Sequence, residues 1–283
     1  VITQQKVWGL VPVKLTLFTF NSNLLKEQWR IIAALASTSL IWVLITNMDK
    51  LILSTYLTLE NYGFYSISTL LSSGIIILAQ PIAQAFQPRM TSSFSVDGLI
   101  KAEKILENAT RWVVCLIFPV AMILCFYPLQ VIYIWTRNLD ASSQAGNLLP
   151  GYTFGNIFIA LGSLLYAFQV SVGVVRKHLQ GNILLCAIYL PLLPIVVTKY
   201  GALGVSMLWA IINISYFIFW NLHLLSKITL TLYPKWIFRD CLLPLLLNIT
   251  IAYIVQSTFP LSVFDSRRSE EHTSELQSRL HLV

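Results

Sequence analysis

The sequence predicts an all-α, polytopic integral membrane protein with about seven transmembrane helices. Three observations predict it. Of 283 residues, 56% are hydrophobic and only 11% are charged, whereas an average soluble domain is about 25% charged. Mean hydropathy is +0.71. The apolar residues also gather into runs near the length that crosses a bilayer, about 20 residues. A soluble fold of this size would still expose about a quarter of its surface, and so few charges cannot clothe it. Soluble enzymes are excluded. The 19 basic against 12 acidic residues read as membrane topology rather than nucleic-acid binding, because the basic residues lie between apolar runs.

The runs fall at residues 31–53, 63–87, 112–135, 150–174, 180–198, 203–225 and 240–259. The fifth is the shortest and carries Pro191 and Pro194, which predict a kink. Thirteen basic residues flank the spans on one side: Lys6, Lys14, Lys26, Arg30, Arg89, Lys101, Lys104, Arg111, Arg176, Lys177, Lys227, Lys235 and Arg239. Lys50, Arg137 and Lys199 flank them on the other. The positive-inside rule places the basic side in the cytoplasm. Residues 1–30 form a cytoplasmic interfacial segment, 31–259 the transmembrane lobe, and 260–267 a truncated end. A short interfacial helix is expected over 97–110, with Asp97 as its N-cap.

Residues 268–283, RSEEHTSELQSRLHLV, are polar after a long apolar segment. Arg268 to Ser278 spell what a common sequencing-library adapter encodes, and Arg279 to Val283 fit its continuation in the same frame. These residues are set aside from functional reasoning. The chain opens on Val1 with no signal peptide before the first span, so the frame is expected to extend beyond both ends.

The second span is the most informative. Ser66, Thr69, Ser73, Gln80, Gln84 and Gln87 recur at steps that keep one helical face polar. Such a face is expected to line a hydrated cavity, since polar side chains in a membrane face protein or water. Small polar residues also serve as interhelical glue. The fourth span repeats the theme with Tyr152, Asn156, Ser163 and Tyr166, and its Gly151 and Gly155 make a close-packing pair. Asp49 and Lys50 end the first span, as functional residues or as an edge anchor. Pro88 and Arg89 suggest a bent helix end presenting a phosphate-binding cation, or an ordinary anchor.

Catalytic signatures are absent: there is no HExxH, GxSxG or phosphate-binding loop, and the chain is not expected to be an enzyme. Cys115, Cys125, Cys186 and Cys241 form no CxxC pair, so no metal site is expected. No cofactor is expected either. The sequons at Asn108, Asn213 and Asn248 lie in spans or on the cytoplasmic side and are chance matches.

Residues 46–98 resemble the polysaccharide (O-antigen) flippases of the multidrug/oligosaccharidyl-lipid/polysaccharide exporter superfamily. The resemblance rests on Asp49-Lys50 at a span end, Tyr62-Gly63-x-Tyr65 opening the next, Pro81 within it, and Pro88-Arg89 before Thr91. Trp135 and Tyr200-Gly201-Ala202-x-Gly204 extend it over most of residues 24–225. The resemblance implies a transporter of twelve or fourteen helices in two lobes around an alternating-access cavity, in the bacterial cytoplasmic (inner) membrane. The present spans would be helices seven to thirteen, the second lobe, leaving the first lobe of the same chain as a missing partner. The implied substrate is an undecaprenyl-pyrophosphate-linked oligosaccharide whose prenyl tail stays among the membrane lipids. Candidate cavity residues are Asp49, Lys50, Ser66, Ser73, Gln80, Gln84, Gln87, Arg89, Tyr152 and Asn156. Alternatives are a multidrug antiporter, a peptidoglycan-precursor flippase, or a membrane-embedded polymerase or transferase. An antiporter should bury acidic residues in its spans, and a polymerase needs a large outer loop, which the short connections do not offer.

Overall fold

The computed structural model describes residues 22–229 and 235–258; the expected interfacial residues 1–21, the end at 260–267 and the adapter-like tail lie outside them. All regular structure in the described residues is helical, so the chain is an all-α polytopic membrane protein. Helix α1 spans Ser22–Tyr56, α2 Leu59–Asp97, α3 Leu99–Phe126, α4 Pro128–Thr136, α5 Leu139–Ser171 and α6 Val175–Ser215. A π-helical turn, Tyr216–Asn221, leads into α7 (Leu222–Ile228), and a second, Trp236–Leu242, leads into α8 (Leu243–Thr258).

Six stretches are long and apolar enough to cross a membrane, the longest being the 54 residues of Val175–Ile228. At a rise of about 1.5 Å per residue a straight helix of that length would be more than twice the hydrocarbon thickness. It is not straight. Gly201 adopts φ 60, ψ −156 within α6, a backbone state that glycine reaches without a Cβ penalty. The chain turns back on itself there. The Tyr216 hydroxyl donates to Asn182 Oδ1 at 2.9 Å, and the rings of Tyr189 and Trp209 lie 5.5 Å apart. Residues equidistant from Lys199, two positions before Gly201, thus face each other, as in an antiparallel hairpin, so the longest of the six stretches holds two of the seven expected spans.

Boundaries differ from expectation in two places. No separate interfacial helix exists at 97–110, because α3 runs unbroken from Leu99 to Phe126. Ala102, Leu106, Ala109, Val113, Ile117 and Ala121 keep one continuous buried stripe, and no glycine or proline interrupts it before Pro119. Asp97 is not its N-cap: it ends α2, and its carboxylate pairs with Lys101 at 2.7 Å, while Gly98 at φ 83 makes the corner. Residues 128–136 form a separate helix after a break at Tyr127. Likewise α2 does not end at Pro88 but continues to Asp97.

Helix α5 is the centre of the molecule, packed against α2, α3, α4 and α6. Its N-cap is Asn138, whose side chain accepts from the Ala141 N–H at 2.9 Å. Its glycines permit the approach. A Cβ on Gly151 would stand 2.8 Å from the Ser206 carbonyl oxygen, and one on Gly155 would stand 2.5 Å from the Trp209 ring. Helix α1 packs chiefly on α6, and α8 on α3.

At the basic end, a charged cluster ties the entry of α8 to α3. Buried Asp240 accepts from Arg111 Nε at 3.1 Å and from Arg239 at 2.8 Å, and Arg239 reaches Glu107 at 3.1 Å. Fully buried Trp236 donates its indole N–H to Thr110 at 2.8 Å.

Candidate functional site

Two polar layers lie inside the helix bundle. The first surrounds Asp49 at the end opposite the basic cluster. Asp49 is buried, and its carboxylate accepts from the Tyr65 hydroxyl at 2.6 Å and from the Lys50 backbone N–H at 2.8 Å. Tyr152 packs edge-on against Tyr65 at 5.7 Å, and Trp209 lies between Tyr152 and Tyr189. Burying a carboxylate in a membrane protein needs such donors, because an unpaired charge in hydrocarbon costs several kcal/mol. Lys50 is exposed, and its ammonium reaches Asn47 at 3.4 Å. The adjacent acid and base therefore separate: the acid is internal and the lysine snorkels outward.

Tyr152 and Asn156, expected on a cavity wall, are instead internal. Asn156 is 4% exposed. Its Nδ2 donates to Ser72 Oγ at 3.1 Å and its Oδ1 accepts from Trp209 Nε1 at 3.0 Å. One asparagine thereby joins α2, α5 and α6. Ser68 donates to the Ala145 carbonyl at 2.8 Å. The interhelical glue on α2 is therefore the buried Ser68 and Ser72, one register away from the stripe read in the sequence. Sequence reasoning missed both. Their i, i+4 spacing within a serine-rich segment was the available signal.

The stripe itself looks away from the packed side. Ser66 and Ser73 are half-buried and turn their hydroxyls back to the Tyr62 and Leu70 carbonyls at 2.8 and 2.6 Å. Gln80 and Gln84 are exposed, and Gln87 is half-buried. Pro81 and Pro88 lie on the same exposed strip as the two glutamines. Having no N–H, they cannot bond the carbonyls of Ile77 and Gln84, four residues earlier in each case. Arg89 is exposed, with its guanidinium 5.5 Å from the Phe86 ring. At the basic end of α2, the Gln87 carbonyl is within 3.2 Å of the Ser171 hydroxyl and 3.0 Å of the Thr91 hydroxyl, holding α2 to α5.

The second polar layer is a cavity of about 380 Å³ between α1, α2, α5 and the two legs of the α6 hairpin. Gln80 from the stripe and Ser163 and Tyr166 from α5 line it. So do Trp42, His178, Asn182, Asn213 and Asn221. None of Asp49, Lys50, Ser66, Ser73, Gln84, Gln87, Arg89, Tyr152 and Asn156 does. Among the described residues no cluster of His, Cys, Asp and Glu suits a metal ion.

Residues 3–136 match a family model described as polysaccharide biosynthesis protein. No curated protein and no solved structure matches the chain. The matched region contains α1 to α4, with Asp49-Lys50, Pro81 and Pro88-Arg89. The resemblance at Tyr200 to Gly204 lies beyond it. Over these residues, just under half of the chain, it is similar to the polysaccharide biosynthesis proteins, and the motifs of α1 and α2 lie within the matched region.

Proposed function

We propose that the chain is part of a flippase that carries an undecaprenyl-pyrophosphate-linked oligosaccharide across the bacterial cytoplasmic membrane by alternating access. It acts as a transporter rather than an enzyme. One observation carries this reading beyond the family match: the exposed strip of α2. Gln80, Gln84 and two carbonyls deprived of helical partners by Pro81 and Pro88 share one face of a membrane helix. Hydrocarbon cannot satisfy such a face, so it borders water, a second lobe, or the sugar in transit. Carbonyls and carboxamides are suited to hydroxyl donors. Arg89, further toward the basic end, offers a fork for phosphate oxygens. Rocking of two such lobes would expose the face to each side in turn, as in other repeat-built transporters.

The test is complementation. The gene, expressed from its source DNA in a strain lacking its polysaccharide flippase, should restore surface polysaccharide. Substituting leucine at both Gln80 and Gln84 should lower export by about tenfold without loss of protein from the membrane. Correct insertion with no export by the unaltered gene would refute the reading.

The antiporter reading has one observation in its favour, the buried Asp49. That carboxylate is already held by Tyr65 and the Lys50 N–H and does not line the cavity. Resistance to cationic drugs conferred by the gene would favour the antiporter instead.

A further inference from the structure

We propose that the groove between α1 and the first leg of α6 seats one anionic phospholipid from the leaflet at the basic end, with Arg176 on its phosphate. The occupant is a lipid of the surrounding membrane rather than a lipid-linked cargo, and the site stands whether or not the chain is a flippase.

The two helices build the groove together. Both α1 and α6 enter the membrane from the basic end, so α1 and the first leg of α6 run parallel. Trp29, Ala33 and Ser37 recur at four-residue steps along α1, and Arg176, Gln180 and Ile183 at four- and three-residue steps along α6. Each set is one helical strip, and the two strips border a space of about 530 Å³. At about 1.5 Å per residue the groove descends roughly 10–12 Å from the level of Trp29 and Arg176 to that of Ser37 and Ile183. Ala33 and Ser37 are too small to fill it.

The groove faces the membrane, not the interior of the bundle. The internal cavity takes Thr38, Ser39, Trp42 and Val43 from α1, and His178 and Asn182 from α6. At 3.6 residues per turn, these point on average more than about 120° away from the groove strip of their own helix. The exposed side chains that continue the groove's side are apolar over long stretches. They include Leu40, Leu44 and Leu51 on α1, and Leu184 and Ile188 on α6. A contiguous apolar surface of this kind on a membrane helix meets acyl chains.

The chemistry changes along the groove as a phospholipid does. At the mouth stand Arg176 and Gln180, both exposed, and Trp29, 61% exposed. Tryptophan is the side chain of the headgroup level. Arg176 makes no ion pair among the described residues, and no acidic residue among them lines the groove. Its guanidinium offers a fork for two phosphate oxygens, and the Gln180 amide and Trp29 indole N–H add neutral donors for ester oxygens. Further in, Ala33, Leu179 and Ile183 give apolar walls for the start of an acyl chain. A zwitterionic lipid brings its own cation to the phosphate. An unpaired arginine with no acid beside it therefore favours a headgroup of net negative charge.

The experiment is native mass spectrometry of the whole gene product, titrated with phosphatidylglycerol and with phosphatidylcholine of the same chains. The first phosphatidylglycerol should bind about tenfold or more tighter than the first phosphatidylcholine. Arg176→Gln should bring the two within about twofold at an unchanged melting temperature, since the side chain is exposed. Lys177→Gln removes an exposed cation one residue away that does not line the groove, and should leave the preference intact. Equal binding of both lipids by the parent, or equal losses from Arg176→Gln and Lys177→Gln, would overturn the site in favour of diffuse surface charge. Displacement of phosphatidylglycerol by an equal concentration of undecaprenyl pyrophosphate would give the groove to a carried lipid and likewise overturn it. Export failure with phosphatidylglycerol binding intact rejects the flippase reading and leaves the site.

Discussion

Single residues in this protein do opposite things at similar sequence positions, and packing decides which. Gly151 and Gly155 form a small-residue pair where α5 meets the second leg of α6, and each would drive a Cβ under 3 Å from Ser206 or Trp209. Gly63 and Gly74, on α2, face open space within 4 Å. Gly155→Ala is therefore expected to cost about 1–3 kcal/mol, the usual penalty for overpacking. Gly63→Ala should be neutral or stabilising by up to about 1 kcal/mol, as a helix interior gains from losing glycine. Thermal unfolding in detergent of both variants checks the contrast. The glycine pair was legible in the sequence as close packing. Asn156 was legible only as polar: nothing in its spacing separates a cavity group from one bonded at once to Ser72 and Trp209, because that distinction depends on two other helices.

At the scale of elements, chain direction is controlled by a few backbone events. The α6 hairpin depends on Gly201 at φ 60, and Tyr200-Gly201 already stood at a gap between two apolar runs. The α2–α3 corner depends on Gly98 at φ 83, which the sequence reading overlooked in favour of Asp97 as a cap. At the basic end, Asp240 and Glu107 each face the same two arginines, and Asp240 is the more buried. Asp240→Asn leaves Arg111 and Arg239 close together with only Glu107 between them. We expect a loss of about 1–2 kcal/mol, at the low end for a charged hydrogen-bond network because both guanidiniums are half-exposed. The loss should shrink in high salt, and a melting series against ionic strength measures it. A loss independent of salt would assign the role of Asp240 to packing rather than charge.

At the scale of the whole molecule, the antiparallel α6 hairpin makes a topological prediction. Lys199 should lie on the face of the membrane opposite Arg176 and Lys227. Cysteine substitutions at these three positions, in a background lacking the four native cysteines, should label from opposite sides with a membrane-impermeant maleimide. Labelling of all three from one side would mean that residues 175–228 do not cross twice. The centrality of α5 also belongs to this scale. Its run of apolar and small residues looked like any other span, but it is the most buried of the six, and the α2 stripe is polar on the side turned away from it.

Composition and run length by themselves determined that this is an all-α polytopic membrane protein, because hydrocarbon admits few ways to satisfy a backbone and the period of polar residues survives in one dimension. The motif order in α1 and α2 carried the resemblance to the polysaccharide biosynthesis proteins for the same reason, being local. Which polar groups are spent on neighbouring helices and which remain free was decided only in three dimensions. Ser68 and Ser72 face α5 while Gln80 and Gln84 do not, and His178 meets Asn221 across one cavity although 43 residues of chain separate them. A hydrogen bond has two ends, and a single sequence position records only one of them.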